Sequence, residues 1–488
     1  LERLADGKKA TPRSWVYEDL TPEQILDSWH AIIIAKLSAD EELKSILQWD
    51  LSKSDKFMAQ GEVAPFKERI HTLNEYWAHL DTPSLFASKE WKLAIQMAVK
   101  ELGFNRTGRP SSPEAVIARG VSEDKYNTSS GDPLFMKRKT DEAQTQAVEA
   151  VRNGTWNQFY PVLGSRASMG KVGTEARWIF MFPMSVNVKE QTFQQPLQDY
   201  IRSKHIQFFI PWDGYDAVQA QLSSISLQDK ITFIGADYSK MDQHFNYSHA
   251  QQCFEVIKEF FEARYHDDLA ASIHYTFNCD VVGPGLLLKG PHAMPSGSGW
   301  TNFLETVFNF ILKQYMKIKF GVNYHVAMGI GDDQLMVMLE KVNVDKFAKF
   351  IAQVFSSVGL EANPSKQEVS YTMASFLQRH SYSWWAPQEI SLAGVYPTDR
   401  ALTSEVFPEF YHNEKDWNKK TFALRCFMIM ENCQYHPCFE EFCIFIAEGN
   451  ANIREFAAMD DAEILLVRDQ SRKIANFIPT YNQAAAEV

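Results

Sequence analysis

The sequence predicts an α+β fold, a small sheet backed by helices. Three observations carry it: a short apolar run that releases a carboxylate at Asp237, a strand-turn-strand pattern bearing Gly331, Asp332 and Asp333, and regularly spaced apolar residues in the segments between and after them. With 488 residues, 45% hydrophobic and 23% charged, the chain has apolar material for a large core in two or three coupled subdomains. Such a composition excludes disorder and collagen-like order. No apolar run approaches the roughly 18 to 20 residues that span a bilayer, and the first twenty residues hold no secretory apolar segment, so a soluble intracellular protein is expected.

Taken in order, residues 1 to 100 read as mostly helical, with Thr21-Pro22-Glu23-Gln24 as a capped helix start. Between Gly103 and Gly173 the composition shifts to Gly, Ser, Pro and basic residues, which predicts ligand-touching loops and no packed helices. Ile231, Phe233 and Ile234 then lead into Asp237 as a buried strand. Leu304, Val307, Phe308, Ile311, Leu312 and Tyr315 are three or four apart and predict a helix over 301–319. HVAMGIGDDQLMVMLE reads as two short strands joined by a tight turn. Phe347, Phe350, Ile351, Val354, Phe355 and Val358 predict another helix, stopped by Gly359, and the last hundred residues read as helical.

The six cysteines contain no CxxC pair and read as reduced buried thiols; the run Cys433, His436, Cys438, Cys443 fits no usual zinc spacing. Net charge is -12, opposite to a simple nucleic-acid coat, so any polynucleotide contact must be local. Seven basic residues against four acidic between Lys137 and Arg177, interleaved with Trp156, Phe159, Tyr160 and Trp178, suit such a channel. Asp50 and Asp55 read as solvated exterior.

Chemistry concentrates at Asp237 and at Asp332-Asp333. Carboxylates at neighbouring strand ends repel unless a cation lies between them, and Mg²⁺, which prefers hard oxygen ligands, is the natural occupant. Two such ions would clamp the attacking and leaving oxygens of an in-line phosphoryl displacement. Asp242 and the Ser-Gly loop 295–309, which feeds straight into a helix, enlarge the constellation.

These segments, in this order, resemble the motifs of viral RNA-dependent RNA polymerases, most closely those of picobirnaviruses and partitiviruses, whose genomes are double-stranded RNA. NTSSGDP (127–133) resembles a template-entry loop, and KVGTEARWIFMFP (171–183) a basic fingertip. DYSKMD (237–242), SGSGWTN (296–302), GDD (331–333), ANPSKQ (362–367) and FLQRH (376–380) resemble the five motifs that follow. The resemblance implies a right-hand fold with fingers (61–230 and 250–288), palm (231–249 and 289–385) and thumb (386–488), closed by an N-terminal bridging segment (1–60). It implies two Mg²⁺ or Mn²⁺ ions on Asp237, Asp332 and Asp333, and Lys366 as general acid. Lys171 and Arg177 would hold the triphosphate, and Asp242, Ser296, Gly297, Thr301 and Asn302 the nucleotide, with the ribose 2′-OH read by the Asp242 cluster. Ser129, Ser130 and Arg379 would contact RNA.

Where the family pattern often has Asn four residues after the Thr, this chain has Glu305, so the sugar-sensing Asn is left between Asn302 and Asn309. The implied partners are template and nascent RNA, NTPs and a viral capsid protein, with no membrane and a monomeric chain, inside a virion in the infected cell's cytoplasm. The alternatives are an idle RNA-binding scaffold and a reverse transcriptase. A P-loop reading of GSRASMGK (164–171) fails on glycine spacing and on Val172 after the Lys.

Overall fold

In the computed structural model, which describes residues 1–410, 415, 417–474 and 477, the apolar run forms the strand Thr232–Ala236, buried at every position. Burial on both faces explains its unbroken apolar sequence. It pairs antiparallel with Asp333–Met338 on one side and Glu368–Ser370 on the other, and Val326–Ile330 closes the far edge of a four-stranded sheet. The hairpin register sets Ile330 opposite Asp333, leaving Gly331 and Asp332 as a two-residue turn. Gly331 has φ +57°, the left-handed value that the first position of such a turn favours and that glycine adopts without strain.

The expected helices back this sheet. Trp300–Phe320 is one residue longer at each end than the spacing predicts, and Val344–Ser357 ends just before Gly359. Their apolar faces join a core that includes Trp91, Ile234, Phe308 and Phe355, all at most 1% exposed. At about 25 cal/mol per Å² of apolar surface, each such aromatic contributes several kcal/mol toward holding the sheet against the helices. The N-terminal capping box forms as read: Thr21 and Gln24 cap the helix Pro22–Ala39 reciprocally.

The described chain divides into two compact units. One comprises Ile70–Gly164 and Trp178–Leu377, and contains the four-stranded sheet. The other comprises Glu2–Arg69, Ser165–Arg177 and the chain from Gln378 onward, with its own core around Trp29, Phe422 and Phe442. The N-terminal segment thus packs in one unit with the C-terminal helices.

Two expectations are corrected. The Ser- and Pro-rich stretch after Gly103 contains the helices Pro113–Ser122 and Asp141–Arg152, capped by Ser112 and Thr140, because Ser-Pro-Glu and Thr-Asp-Glu are helix starts as well as loop letters. Asp50 is not solvated exterior. It is fully buried and accepts from Thr398 N (3.0 Å) and Asp399 N (2.9 Å) at the start of the helix Thr398–Val406, while His436 Nε2 lies 2.7 Å away. Burial works against this anion, but His436 and the helix N–H donors outweigh it and hold the carboxyl below its ordinary range. The thiols of Cys433 and Cys438 are buried and pushed up, Cys438 to about 12, which fits reduced cysteines. Among the described residues no helix is long and apolar enough to cross a membrane.

Candidate active site

Register brings the two acidic segments together. Ala236 pairs with Gln334, so the next position along each strand sets Asp237 across the ladder from Asp333, with Asp332 in the adjoining turn. Asp237 and Asp332 are exposed; Asp333 is set deeper, its Oδ2 accepting from Leu377 N at 3.0 Å. Loss of water, then the charges of Asp332 and Asp237, push the Asp333 carboxyl up to about 7. Burial also raises Asp237, which the positive charge of exposed Lys366 opposes.

Neighbouring side chains fix this geometry at each end. Gln367 donates to Asp237 O (2.8 Å) and accepts from Asp237 N (3.0 Å), so an amide side chain continues the ladder where the backbone strand Glu368–Ser370 stops. From the Trp300–Phe320 helix, Thr306 Oγ1 accepts from Gly331 N (2.8 Å) and Asn309 Nδ2 donates to Gly331 O (2.9 Å), gripping the turn on both sides. Asn309 is fully buried and also accepts from Tyr238, so of the two candidate asparagines it is committed to the turn. Asn302 stays exposed, with Trp212 Nε1 at 3.2 Å from its Oδ1.

The Ser-Gly loop meets the chain five residues past Asp237, at Asp242. Ser296 donates to Asp242 Oδ2, and Ser296 O accepts from Phe180 N at 2.8 Å. Gly297 has φ +124° and lies so close to Phe180 O that no side chain fits there. Thr301 Oγ1 lies 3.3 Å from Pro295 O. Glu190, on the helix Met184–Ser203, anchors the loop from below. Fully buried, it accepts from Ser298 Oγ, from Gly299 N (3.2 Å) and from Asn187 Nδ2 (2.8 Å). Burial raises its carboxyl, which these donors oppose. Glu190, Thr306 and Gln367 are the positioning residues that sequence reasoning missed.

The remaining expected residues lie elsewhere. Lys171 and Arg177 are exposed and belong to the other unit. Ser129 is exposed, but Ser130 is 4% exposed and its hydroxyl accepts from Met136 N at 3.3 Å, within its own loop. Arg379 is likewise 4% exposed; its guanidinium donates to Asn432 (3.1 Å) and covers the Tyr396 ring within its unit. These two, expected to contact RNA, are turned inward. Trp156 and Trp178 are core aromatics at 5% and 3% exposure, Phe159 is half-buried, and Tyr160 is exposed at 43%.

As the side chains stand, no group of three His, Cys, Asp or Glu among the described residues is gathered around an ion position. The donor set nonetheless fits a hard divalent cation: three carboxylates at adjoining strand ends, whose mutual repulsion a cation would relieve.

Residues 164–385 match the family described as viral RNA-dependent RNA polymerase. A potential RNA-dependent RNA polymerase of human picobirnavirus (strain Human/Thailand/Hy005102/-) is 26% identical over 480 residues, covering 92% of this chain and 84% of that one. Two solved structures share the fold. The polymerase of a human picobirnavirus gives a TM-score of 0.80 at 22% identity, covering 99% of this chain and 93% of that one. Its insertion-loop deletion mutant gives 0.82 at 24%, covering 96% and 92%.

The sequence match over residues 164–385 marks an RNA-dependent RNA polymerase, an enzyme that synthesises RNA on an RNA template. Within that class the chain is similar, over most of its length, to the human picobirnavirus polymerase.

Proposed function

We propose that this polymerase joins NTPs by two-metal-ion nucleotidyl transfer at Asp237, Asp332 and Asp333, for both replication and transcription of a viral genome. The observation that carries the reading is the strand register, which sets Asp237 opposite Asp333 with Asp332 in the adjoining turn. Asp237 and Asp332, exposed at their strand ends, are the principal ligands, and Asp333, held by Leu377 N, is the weaker one. Two Mg²⁺ or Mn²⁺ ions, when bound, would activate the primer hydroxyl and neutralise the departing pyrophosphate.

The chain's own residues supply the rest. Lys366, whose charge reaches Asp237, donates a proton to pyrophosphate as it leaves. Asp242 and Ser296 read the ribose 2′-OH, with Gly297 and Thr301 shaping the loop and exposed Asn302 beside it. Lys171 and Arg177 neutralise the triphosphate, an assignment supported by their exposure and by the resemblance of their segment to the basic fingertip. Ser129 contacts the template. The expected roles of Ser130 and Arg379 find no exposed polar group to support them.

The resemblance to polymerases of double-stranded RNA viruses supports fingers, palm and thumb over the ranges given above. It likewise supports a monomer that works beside a capsid protein in a virion in the cytoplasm. Incorporation of labelled ribonucleotides on an RNA template with Mg²⁺ or Mn²⁺ tests the mechanism. Wild type should extend and Asp332→Ala should not, whereas equal extension by both would remove the carboxylates from the chemistry.

A further inference from the structure

The helices that back the four-stranded sheet carry, at the end away from the carboxylates, a patch that the proposed chemistry does not use. Phe320 closes the Trp300–Phe320 helix about 20 Å along its axis from Thr306, which holds the Gly331 turn. Its ring is 48% exposed but held in place by two others. The buried Tyr315 ring stands at 90° to it with centroids 6.0 Å apart, and the half-buried Phe350 ring of the Val344–Ser357 helix at 86° and 5.0 Å. A flat apolar surface is thus fixed in one orientation and left open to solvent.

Cations surround it. Residues 317–320 and 344–350, which meet through the Phe320–Phe350 contact, hold four lysines (Lys317, Lys319, Lys346 and Lys349) against one carboxylate, Asp345. All four are exposed, and of them only Lys319 forms an ion pair among the described residues, 3.6 Å from Glu90. Lys317 and Lys319 complement the negative end of their helix. Lys346 does the reverse. It lies in the first turn after the Asn343 cap, at the positive end, where a basic side chain gives the helix no support. In a chain of net charge -12, such a local excess of cations selects a polyanion.

We infer that this face is a second RNA-binding surface, separate from the catalytic carboxylates, which takes single-stranded RNA by its phosphates on Lys317, Lys346 and Lys349 and by a base stacked on Phe320. Lysines alone suit any polyanion, an acidic protein segment included. The open aromatic face favours RNA, because a nucleic-acid strand brings a flat base with every phosphate. A duplex hides its base faces, so the strand is unpaired. The inference goes beyond the two-metal reading and stands independently of it.

The test fills the active site with a short primed hairpin RNA and then titrates a labelled oligouridylate of about 20 nucleotides, read by fluorescence anisotropy. Wild type should bind this second RNA. The triple variant Lys317→Ala/Lys346→Ala/Lys349→Ala should bind it at least about tenfold more weakly, with the slope of log K on log salt flatter by about 2. Phe320→Ala should weaken it about 5- to 100-fold and leave the slope unchanged. Single-nucleotide addition to the hairpin, which also shows that each variant is folded, should stay within about twofold of wild type. Failure of wild type to take up the second RNA overturns the inference, as does equal uptake by wild type and the lysine variant. Wild-type uptake by Phe320→Ala overturns the stacking role. Hairpin addition lost in step with uptake overturns the separateness of the surface. Labelled polyglutamate bound by wild type and lost in the lysine variant, with oligouridylate binding unaltered, assigns the face to an acidic protein segment and overturns the RNA reading.

Discussion

Gln367 grips the peptide of Asp237 from both sides, donating to its carbonyl oxygen at 2.8 Å and accepting from its N–H at 3.0 Å. A third bond, to Asn363 O at 3.1 Å, ties the same amide to the segment carrying Lys366. One buried side chain therefore sets both the carboxylate and the proposed general acid. Gln367→Leu should cost about 1 to 3 kcal/mol of stability and slow elongation at least tenfold. Melting temperature and single-nucleotide addition rates check this, and normal addition by a destabilised variant would limit Gln367 to folding.

Lys366 is exposed, close enough for its charge to reach Asp237, and bonded to Asn363 O only through its backbone. Lys366→Leu should reduce the addition rate about 10²-fold while leaving NTP affinity nearly unchanged. Pre-steady-state kinetics separate the two terms. A rise in Kd with an unaltered maximal rate would reassign Lys366 to binding.

Glu190 collects donors from Ser298, Gly299 and Asn187, and the loop it steadies presents Ser296. Glu190→Ala leaves those groups without their acceptor. KM for NTP should rise about tenfold, with a smaller change in kcat, because the loop orients substrate and does not react with it. Steady-state kinetics decide, and an unchanged KM would count against the loop as a nucleotide support.

His249 supplies a pH dependence. Its Nδ1 accepts from Asn246 N (3.0 Å) and its Nε2 faces Val358 O at 2.7 Å, so burial holds the ring neutral and brings its pKa down to about 4. An unfolded histidine takes up a proton below about 6.5. The native ring resists, so its stability contribution is whole above that pH and is lost on acidification toward 4, at up to about 1.4 kcal/mol per pH unit. Denaturant titrations should show His249→Gln less stable than wild type at neutral pH but falling less steeply in acid. Parallel curves would place the titration elsewhere.

What the letters disclosed depended on whether the signal was local. The strand before Asp237, the Gly331 turn and the Trp300–Phe320 helix each carry their own periodicity, and all three formed where expected. The helices capped by Ser112 and Thr140 were hidden because the residues that start helices also fill loops. Glu190, Gln367 and Asp50 looked like ordinary polar residues, since Ser298, Asp237 and Thr398, to which they bond, lie about 110, 130 and 350 positions away in the chain. Asn309 had been a candidate sugar sensor by spacing alone, and only the fold shows it committed to Gly331.

The central claim, that Asp237 and Asp332 hold the divalent ions, is tested most directly by Mn²⁺ binding. Electron paramagnetic resonance of the enzyme with NTP and primed RNA should show bound Mn²⁺ in wild type and most of it in Asp333→Asn, whose carboxyl already serves Leu377 N. Asp237→Ala and Asp332→Ala, folded by circular dichroism, should each lose it. Uptake equal to wild type in both alanine variants would contradict the account.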